Sequence, residues 1–392
     1  MKNLLLMVPM LHQGGFERVC VHTARLLQDK YNVTILIFSS KDINYDVTGL
    51  NVVNIDVPSS KGILNKVFNV FKRSSKVRKY KKDNKIDISY SFGSSANYVN
   101  VLSRAGEKTL TGLRCSTDME SPRQVKLFCK KSDKVLSCSR DILMELKSSY
   151  NYDKSEYIYN PLDVEGIRQK ALEEISDYPY TDEDFVISFM GRDDYIKGVW
   201  HLIKAFYIVH KKHPKTRLII LGAGNYTDDK ELVKELGIDD SVTFTGVRKN
   251  PFPYVYRSNL YVLSSNHEGF PNALLEAMAM GKAVIAADCK TGPREIVLSD
   301  EQYQKLMNTD GINHKIPEAI EGEYGVLIPD MSEIPNREAS HLDEEKILSD
   351  EILKMVEDRE RLNNYSQKAY ERALVYTPEK YKTELDNILK RV

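Results

Sequence analysis

The chain has 392 residues and a formal net charge of zero, with 56 basic and 56 acidic side chains. This length exceeds the usual size of one hydrophobic core, so we expect two domains. The balanced charge argues against a nucleic-acid-binding surface over the whole protein, and no nucleic-acid partner is expected. The five cysteines form no CxxC pair and no cluster with metal-ligand spacing, which predicts reduced intracellular thiols and no metal site.

The chain opens with the order strand, loop, helix, strand. The segments are NLLLMVP, MLHQGGF, ERVCVHTARLLQDK and YNVTILIFS. Apolar strands that alternate with amphipathic helices predict a parallel sheet covered on both faces. Gly14 and Gly15 lie in the loop before the first helix, where backbone amides can approach a phosphate.

The charge is distributed unevenly along the chain. Residues 1–160 carry 26 Lys and Arg against 15 Asp and Glu, a net +11, and the remainder carries −11. Residues 61–85 hold ten basic side chains and one Asp, together with apolar residues at helical spacing. The apolar residues are Ile63, Leu64, Val67, Phe68 and Phe71. A basic amphipathic helix of this kind is suited to an anionic membrane; the alternative is a surface helix packed on its sheet with a solvated charged face.

A polar, acidic segment after Pro161 precedes a new apolar strand, FVISFMG, and marks the domain boundary. We place the first domain at 1–165 and the second at 166–376. The second half repeats the alternation of strands and helices, so the expected fold is α/β with two doubly wound, Rossmann-like parallel sheets. Residues 299–323 are a polar insertion of unassigned structure, and residues 343–392 are predicted to be mostly helical.

Two glutamates lie eight positions apart around the turn Gly-Phe-Pro-Asn. Pro271 suits the start of a helix and Gly281 its end, so we predict a helix from Pro271 to Met280. Glu268 then precedes the helix and Glu276 lies on its second turn. The free amides of the helix start favour a phosphate, and the carboxylates can accept hydroxyl groups. The alternative makes Glu276 a solvated helix residue and Glu268 a partner of the helix dipole.

The segment MGRDDYIKGVW follows a strand and opens a helix. Arg192 and Lys197 in this segment could neutralise a diphosphate leaving group in place of a divalent metal. The alternative is that both side chains are simply solvated. The chain lacks the Gly-x-Gly-x-x-Gly fingerprint of a dinucleotide site after its first strand.

Four segments resemble the retaining family 4 glycosyltransferases of the GT-B fold. They are GGFERV, GRDDYIKG, SNHEGFPNALLEAMAMGKAVIAADCKTGPREI and YGVLIP. The resemblance covers most of the second domain and the start of the first. It implies two facing domains, with acceptor on the first, donor on the second and the active site in the cleft. It also implies a final helix, 377–392, that crosses back to the first domain.

The resemblance further implies retaining, metal-independent transfer from a nucleotide diphosphate sugar, with uridine as the expected base and no cofactor. On the family pattern Arg192 and Lys197 bind the diphosphate, Glu276 binds the ribose and Glu268 binds the donor sugar. Arg192, Lys197 and Glu268 are the expected catalytic residues. The other expected donor-binding residues are Gly14, Gly15, Val247, Arg248, Gly269, Phe270, Pro271 and Asn272.

One feature departs from the family pattern. Relatives often carry a histidine in the first domain near the donor, and the loops YSFGSSANY and TGLRCSTDME contain none. Arg114, Asp118 or His12 could take its place. We expect a saccharide acceptor, lipid-linked, in surface polysaccharide or glycan assembly at the cytoplasmic face of the membrane. The alternatives are a non-catalytic nucleotide-sugar-binding protein and a GT-B sugar-nucleotide epimerase.

Overall fold

The computed structural model describes residues 1–12, 14–41, 43–59, 62–310, 315–336 and 340–392, without the side chains of residues 63, 309 and 310. The chain divides into two compact units. The first contains Met1–Pro161 and Pro378–Val392, and the second contains Leu162–Thr377. The sequence analysis had placed these borders after residue 165 and before residue 377.

The first unit is built on a parallel sheet of seven strands. The strands are β1 (Lys2–Met7), β2 (Tyr31–Ile37), β3 (Asn51–Asn54), β4 (Ile88–Phe92), β5 (Lys108–Leu113), β6 (Lys134–Ser137) and β7 (Ser155–Tyr157). Their spatial order is β3-β2-β1-β4-β5-β6-β7, and every neighbouring pair is parallel. The helices between them are α1 (Gly15–Leu27), α2 (Ile63–Asp83), α3 (Ser94–Leu102), α4 (Pro122–Lys131) and α5 (Arg140–Tyr150).

Strand β1 is apolar and buried from Leu4 to Met7 because helices cover both faces of its sheet. Leu4 and Leu6 belong to one core, which includes side chains of α1, and Leu5 and Met7 belong to the other, which includes side chains of α2 and α3. Successive side chains of a strand point to opposite faces, so a strand covered on both sides is apolar at most positions.

The second unit contains a second sheet of seven strands. They are β8 (Phe185–Met190), β9 (Thr216–Leu221), β10 (Val242–Gly246), β11 (Leu260–Leu263), β12 (Ala283–Ala287), β13 (Ile320–Glu321) and β14 (Val326–Ile328). Their order is β10-β9-β8-β11-β12-β14-β13, and only β13 is antiparallel to its neighbour. The helices are α6 (Val164–Ala171), α7 (Val199–Lys212), α8 (Thr227–Glu235), α9 (Phe252–Tyr256), α10 (Asn272–Ala279), α11 (Pro293–Val297), α12 (Asp300–Asp310), α13 (Asp343–Glu357) and α14 (Arg359–Ala373).

The last helix, α15 (Pro378–Arg391), belongs to the first unit and packs on α1. The hydroxyls of Thr23 and Tyr381 are 2.7 Å apart, and Lys30 forms an ion pair with Asp386 at 2.6 Å. The prediction of an α/β protein with two doubly wound sheets is confirmed, as is the largely helical character of residues 343–392. The unassigned insertion contains α12 and β13, and its residues 311–314 lie outside the described part.

The strand order fixes where a ligand of the second unit would bind. The chain runs from β8 outward to β9 and β10 and then returns to place β11 on the other side of β8. The order therefore reverses between β8 and β11. In open parallel sheets, ligands bind at the carboxyl ends of the strands at such a switch point, which directs attention to the loops after β8 and β11.

Candidate functional site

The loop after β8 is fastened to the loop after β9. The Asp193 amide donates to the Ala223 carbonyl at 2.7 Å, and the Asp193 carboxylate accepts the Tyr226 amide at 2.7 Å. The Tyr226 hydroxyl donates back to the Gly191 carbonyl at 2.7 Å. Gly222 has a φ of +148°, and a Cβ there would lie 1.5 Å from the Gly191 oxygen. Only glycine permits this close approach, so Gly222 is required where the loop after β9 meets the loop after β8.

Gly198 brings the start of α7 against the loop after β11. Its φ is +56°, and an added Cβ would lie 2.3 Å from the Ser264 carbonyl oxygen. Asp194 caps the short 3-10 turn that precedes it, accepting the Ile196 amide at 3.3 Å. The Ile196 carbonyl in turn accepts the Asn266 amide at 2.8 Å. The two loops at the switch point are thus locked to each other through their backbones.

Lys197 and Glu268 form an ion pair at this place. The Lys197 Nζ lies 2.6 Å from the Glu268 Oε1, and the side chains are 19% and 11% exposed. The family pattern assigned the two residues separately to diphosphate and sugar, whereas the structure brings them together. Because an ammonium has three donors, Lys197 can bridge the carboxylate and an anionic ligand.

Arg192 lies in the same loop but differs in environment. Its side chain is 55% exposed, and its Nη2 is 3.7 Å from the Asp194 carboxylate. An exposed contact of this length contributes little to stability. Among the described residues, Arg192 makes no contact with the Lys197–Glu268 pair that would fix its guanidinium there.

The loop that carries Glu268 is held by the loop after β12. The Thr291 hydroxyl donates to the Glu268 carbonyl. Gly292 has a φ of +95°, and a Cβ there would lie 2.8 Å from the Gly269 oxygen and 2.8 Å from the Pro271 Cδ. Thr291 and Gly292 occur in the segment TGPREI, which the sequence analysis quoted without assigning them a role.

Helix α10 begins at Asn272 and ends at Ala279, one residue inside the predicted bounds at each end, with Pro271 as its N-cap. Glu276 on this helix is only 5% exposed, so the interpretation of Glu276 as a solvated residue is wrong. Phe270 is also buried, and its ring packs edge-on against Tyr376 at 5.4 Å. A carboxylate is buried only where polar partners compensate for the lost water, so Glu276 requires polar partners at this position.

Val247 and Arg248 follow β10 at the same edge of the sheet. Val247 is 58% exposed. The Arg248 Nη2 lies 2.8 Å from the Asp177 carboxylate, and the guanidinium lies over the Tyr254 ring at 5.1 Å. The Tyr254 hydroxyl also donates to Asp177 and lowers the pKa of that carboxyl. Arg248 is therefore held by the segment between α6 and β8.

Gly14 and Gly15 form the start of α1 in the first unit. The Gly14 amide donates to the Tyr45 hydroxyl at 2.9 Å, which donates back to the Gly14 carbonyl at 2.6 Å. A Cβ on Gly14 would lie 2.2 Å from the Glu17 carboxylate, which is 2% exposed. The His12 Nδ1 lies 3.1 Å from the Glu17 Oε1, and its side chain is 41% exposed.

Arg114 and Asp118 both maintain the fold of the first unit. Arg114 is 8% exposed, donates to Asn160 at 3.2 Å and to the Tyr90 hydroxyl, and lies over the Phe92 ring at 4.9 Å. Asp118 accepts the Arg114 amide at 2.7 Å, and burial raises the pKa of its carboxyl. Of the three candidates for the missing histidine, only His12 has an exposed side chain.

Further acidic residues follow the strands beyond β11. Asp288 forms a bidentate pair with Arg294, at 2.9 and 2.7 Å, and both are buried. Burial raises the pKa of Asp330, after β14, to about 7.

Within the described residues, His, Cys, Asp and Glu side chains form no group of three or more that could hold a metal ion. None of the described helices combines the length and apolar character needed to cross a bilayer.

Comparison with known proteins finds matches among glycosyltransferases. Residues 184–333 match the family described as Glycosyl transferases group 1. An uncharacterized glycosyltransferase of Methanocaldococcus jannaschii is 33% identical over 264 residues, which are 65% of this chain and 63% of that protein's length. The N-acetylgalactosamine-N,N'-diacetylbacillosaminyl-diphospho-undecaprenol 4-alpha-N-acetylgalactosaminyltransferase of Campylobacter jejuni is 29% identical over 332 residues, which are 80% of this chain and 88% of that protein.

Among solved structures, Anabaena HepE in complex with UDP and glucose covers the whole of both chains with a TM-score of 0.73 at 17% identity. At this identity the likeness establishes the fold. The matched family spans β8 to the segment after β14 and contains Arg192, Lys197, Glu268 and Glu276. Residues 184–333 therefore resemble the group 1 glycosyltransferases, and the chain has the GT-B fold.

Proposed function

We propose that the chain is a retaining, metal-independent glycosyltransferase of family 4. It transfers a hexosyl or N-acetylhexosaminyl group from a UDP-linked sugar to a lipid-linked saccharide. The observation that carries the proposal is the Lys197–Glu268 pair at the switch point, followed at once by α10 with buried Glu276. This arrangement brings a cation from 71 positions away to Glu268, and a helix start and a second carboxylate follow Glu268 directly.

Each group has a role in the proposed reaction. Lys197 stabilises the negative charge that develops on the departing diphosphate, and the exposed Arg192 guanidinium closes over the diphosphate when donor binds. Glu268 holds Lys197 in place and accepts a hydroxyl of the donor sugar. Glu276 accepts the ribose hydroxyls, and the backbone around Gly269 lies at the sugar and phosphate.

The acceptor hydroxyl attacks from the face that the nucleoside diphosphate leaves, and the leaving phosphate takes its proton. Neither glutamate is a nucleophile in this scheme. The protein contributes orientation of the two substrates and stabilisation of the departing charge.

A lipid-linked acceptor is supported by the surface of α2. Leu64, Val67, Phe68 and Phe71 are 86%, 50%, 67% and 65% exposed. The alternative in which this apolar stripe packs on the sheet is therefore wrong. The face that does pack carries Arg73, Ser74, Val77 and Lys81, which are all buried.

We therefore propose that α2 inserts its apolar face into an anionic membrane at the inner side of the cell membrane. The Campylobacter relative is named for a diphospho-undecaprenol-linked substrate, and such a substrate lies in a membrane. Residues 61–85 carry ten basic side chains against one acidic one, of which Arg73 and Lys81 are buried against the protein. Each cation that does lie near an anionic surface contributes about 1 kcal/mol.

Donor binding is tested by thermal stabilisation with a panel of nucleotides and sugar nucleotides. A ligand at about 100 times its Kd stabilises the folded state by about 2.7 kcal/mol. We expect one UDP-sugar to stabilise the wild type and to have no effect on Lys197→Ala or Glu276→Ala. Lys215→Ala, which removes an exposed cation of the same unit, should retain the effect. Absence of stabilisation by every nucleotide at millimolar concentration would favour a non-catalytic scaffold, and conversion of the donor to its epimer would identify an epimerase.

Membrane docking is tested by sedimentation with vesicles of neutral and of anionic lipid. We expect the wild type to bind anionic vesicles and to dissociate as salt is raised. Phe68→Ser/Phe71→Ser should abolish binding, and Tyr157→Ser, a matched change at another exposed aromatic residue of the same unit (37% exposed), should not. Equal binding by both variants would refute docking through α2.

A further inference from the structure

A buried group of charged side chains lies at the start of α7. His201, Lys204 and Glu345 are each 0% exposed. The His201 Nδ1 is 2.7 Å from the Glu345 Oε1, and the Lys204 Nζ is 2.9 Å from the Glu345 Oε2. Glu345 also accepts the Leu342 amide at 2.9 Å, at the start of α13.

The second ring nitrogen of His201 also faces an acceptor. Its Nε2 lies 2.9 Å from the backbone carbonyl oxygen of Ser332. A neutral imidazole has one donor and one acceptor nitrogen, so it would set a lone pair against one of these oxygens. The other oxygen of Glu345 accepts both the Lys204 ammonium and the Leu342 amide, so Glu345 acts as an acceptor in this group. Both ring nitrogens of His201 must therefore carry a proton.

The Ser332 carbonyl connects His201 to the donor site. It also accepts the side-chain amide of Asn266 at 2.6 Å. Asn266 lies two residues before Glu268, and its backbone amide donates to the Ile196 carbonyl beside Lys197. The imidazolium and Asn266 thus share one oxygen, and Asn266 joins the loops that carry the Lys197–Glu268 pair.

We propose that His201 is a positioning residue whose second proton holds these two loops in the arrangement that binds the donor. The inference rests on the proposed function, because it concerns the same donor site. Loss of that proton places the Nε2 lone pair against the Ser332 oxygen, which displaces Ser332 and releases Asn266. Donor affinity is then expected to fall at high pH.

Other charged groups near His201 come from three elements. Lys204 lies on its own helix, and Glu345 comes from α13. Glu344, also on α13, accepts the Ser332 amide at 3.2 Å. In the segment after β14, Glu333 pairs with His267 at 3.4 Å. Glu345 is thus the carboxylate in contact with the ring, whereas Glu344 contacts Ser332 and Glu333 contacts His267.

His210 on the same helix provides an internal control. Its Nδ1 faces the Thr216 carbonyl at 3.2 Å, and its Nε2 faces the Ser241 hydroxyl at 3.1 Å. A hydroxyl can donate, so His210 is satisfied as a neutral ring, and burial lowers its pKa. The two histidines of α7 should therefore differ in protonation at neutral pH.

The first experiment is nitrogen NMR of protein labelled at histidine, with assignments from His201→Gln and His210→Gln. At neutral pH we expect both ring nitrogens of His201 to be protonated and only one of His210. A neutral His201 ring would overturn the proposal, whether or not the protein binds a donor.

The second experiment is calorimetric titration of UDP into the full chain from about pH 6 to about pH 9.5, a range in which a histidine charge is lost. We expect wild-type affinity to fall about tenfold at the upper end, equivalent to about 1.4 kcal/mol. His201→Gln should bind about tenfold more weakly at low pH and lose this dependence. Lys204 contacts the same carboxylate but holds no bond to Ser332 among those described, so Lys204→Met should keep the pH dependence of UDP affinity.

These outcomes separate the two proposals. Failure of the wild type to bind UDP at any pH would contradict the proposed function and leave the NMR result standing. Normal UDP binding with the same pH dependence in His201→Gln would contradict the positioning role alone. A melting curve for each variant distinguishes loss of binding from loss of fold.

Discussion

Replacing Gly198 by alanine should destabilise the second unit far more than the same change at Gly237. Both glycines have left-handed backbones, with φ values of +56° and +65°. A Cβ at Gly198 would lie 2.3 Å from the Ser264 oxygen and 2.6 Å from the Asn266 Oδ1, whereas a Cβ at Gly237 would have no heavy atom within 4 Å. The pair therefore separates backbone strain from steric overlap.

The magnitudes follow from these two terms. A left-handed backbone costs a non-glycine residue about 1–2 kcal/mol, and overpacking adds about 1–3 kcal/mol. We expect Gly237→Ala to lower the free energy of unfolding by about 1 kcal/mol and Gly198→Ala by about 2–5 kcal/mol. For a domain of 150–250 residues, each kcal/mol lowers Tm by about 2–4 °C.

Trp200 provides the assay. It is the sole tryptophan of the chain, it is 2% exposed, and it lies two residues after Gly198. Its fluorescence during urea unfolding therefore reports the second unit alone. UDP binding by Gly198→Ala should be lost even where the unit remains folded, because the overlap displaces the loop of Asn266. Equal destabilisation by the two variants, with intact UDP binding, would refute the reasoning.

Three further predictions concern buried charges. The pKa of Asp330 in the folded state is raised from 3.8 to about 7, so the wild type loses stability as pH rises from 3.8 to about 7. Asp330→Asn does not titrate, so its gain in the free energy of unfolding over the wild type, measured by urea unfolding, should be up to about 3 kcal/mol larger at pH 8 than at pH 5. Lys197→Met and Glu268→Gln each leave one charge of the pair without its partner. A double-mutant cycle on the free energy of unfolding should therefore give a coupling energy of about 1–3 kcal/mol, and additive changes in that free energy would contradict the ion pair. Lys81 binds Glu107 at 2.6 Å with both side chains buried, so Lys81→Met should cost about 3–5 kcal/mol and adding Glu107→Gln should restore part of it.

Local patterns predicted much of the second unit. Strand β8 is buried at all six positions, in agreement with its sequence FVISFM, in which Ser188 is the one polar residue. Pro271 and Gly281 located the ends of α10 to within one residue. These predictions succeeded because backbone preferences and sheet burial act on neighbouring residues of the chain.

The sequence did not reveal which face of α2 packs on the protein. Its apolar stripe is exposed, and Lys81 is buried instead because it meets Asn100 at 2.8 Å and Glu107 at 2.6 Å. These partners lie 19 and 26 residues away. A helical pattern gives the spacing of a stripe but not its orientation, which depends on such distant partners.

The pairing of Lys197 with Glu268 was also missed, although both residues were selected. They are 71 positions apart and meet only because β8 and β11 are neighbours in the sheet. The sequence analysis also named Arg114 as a candidate near the donor. Its partner Asn160 is 46 positions away, so this pairing was not visible in the local sequence.

The most direct test of the proposed reaction is a transfer assay with the UDP-sugar that stabilises the protein and a panel of undecaprenyl-diphosphate-linked saccharides, in the presence of a metal chelator. The anomeric configuration of the product is read by NMR. The account predicts a saccharide extended by one residue, with the configuration of the donor retained, and no such product from Lys197→Ala. An inverted product, a requirement for metal, or undiminished transfer by Lys197→Ala would contradict it.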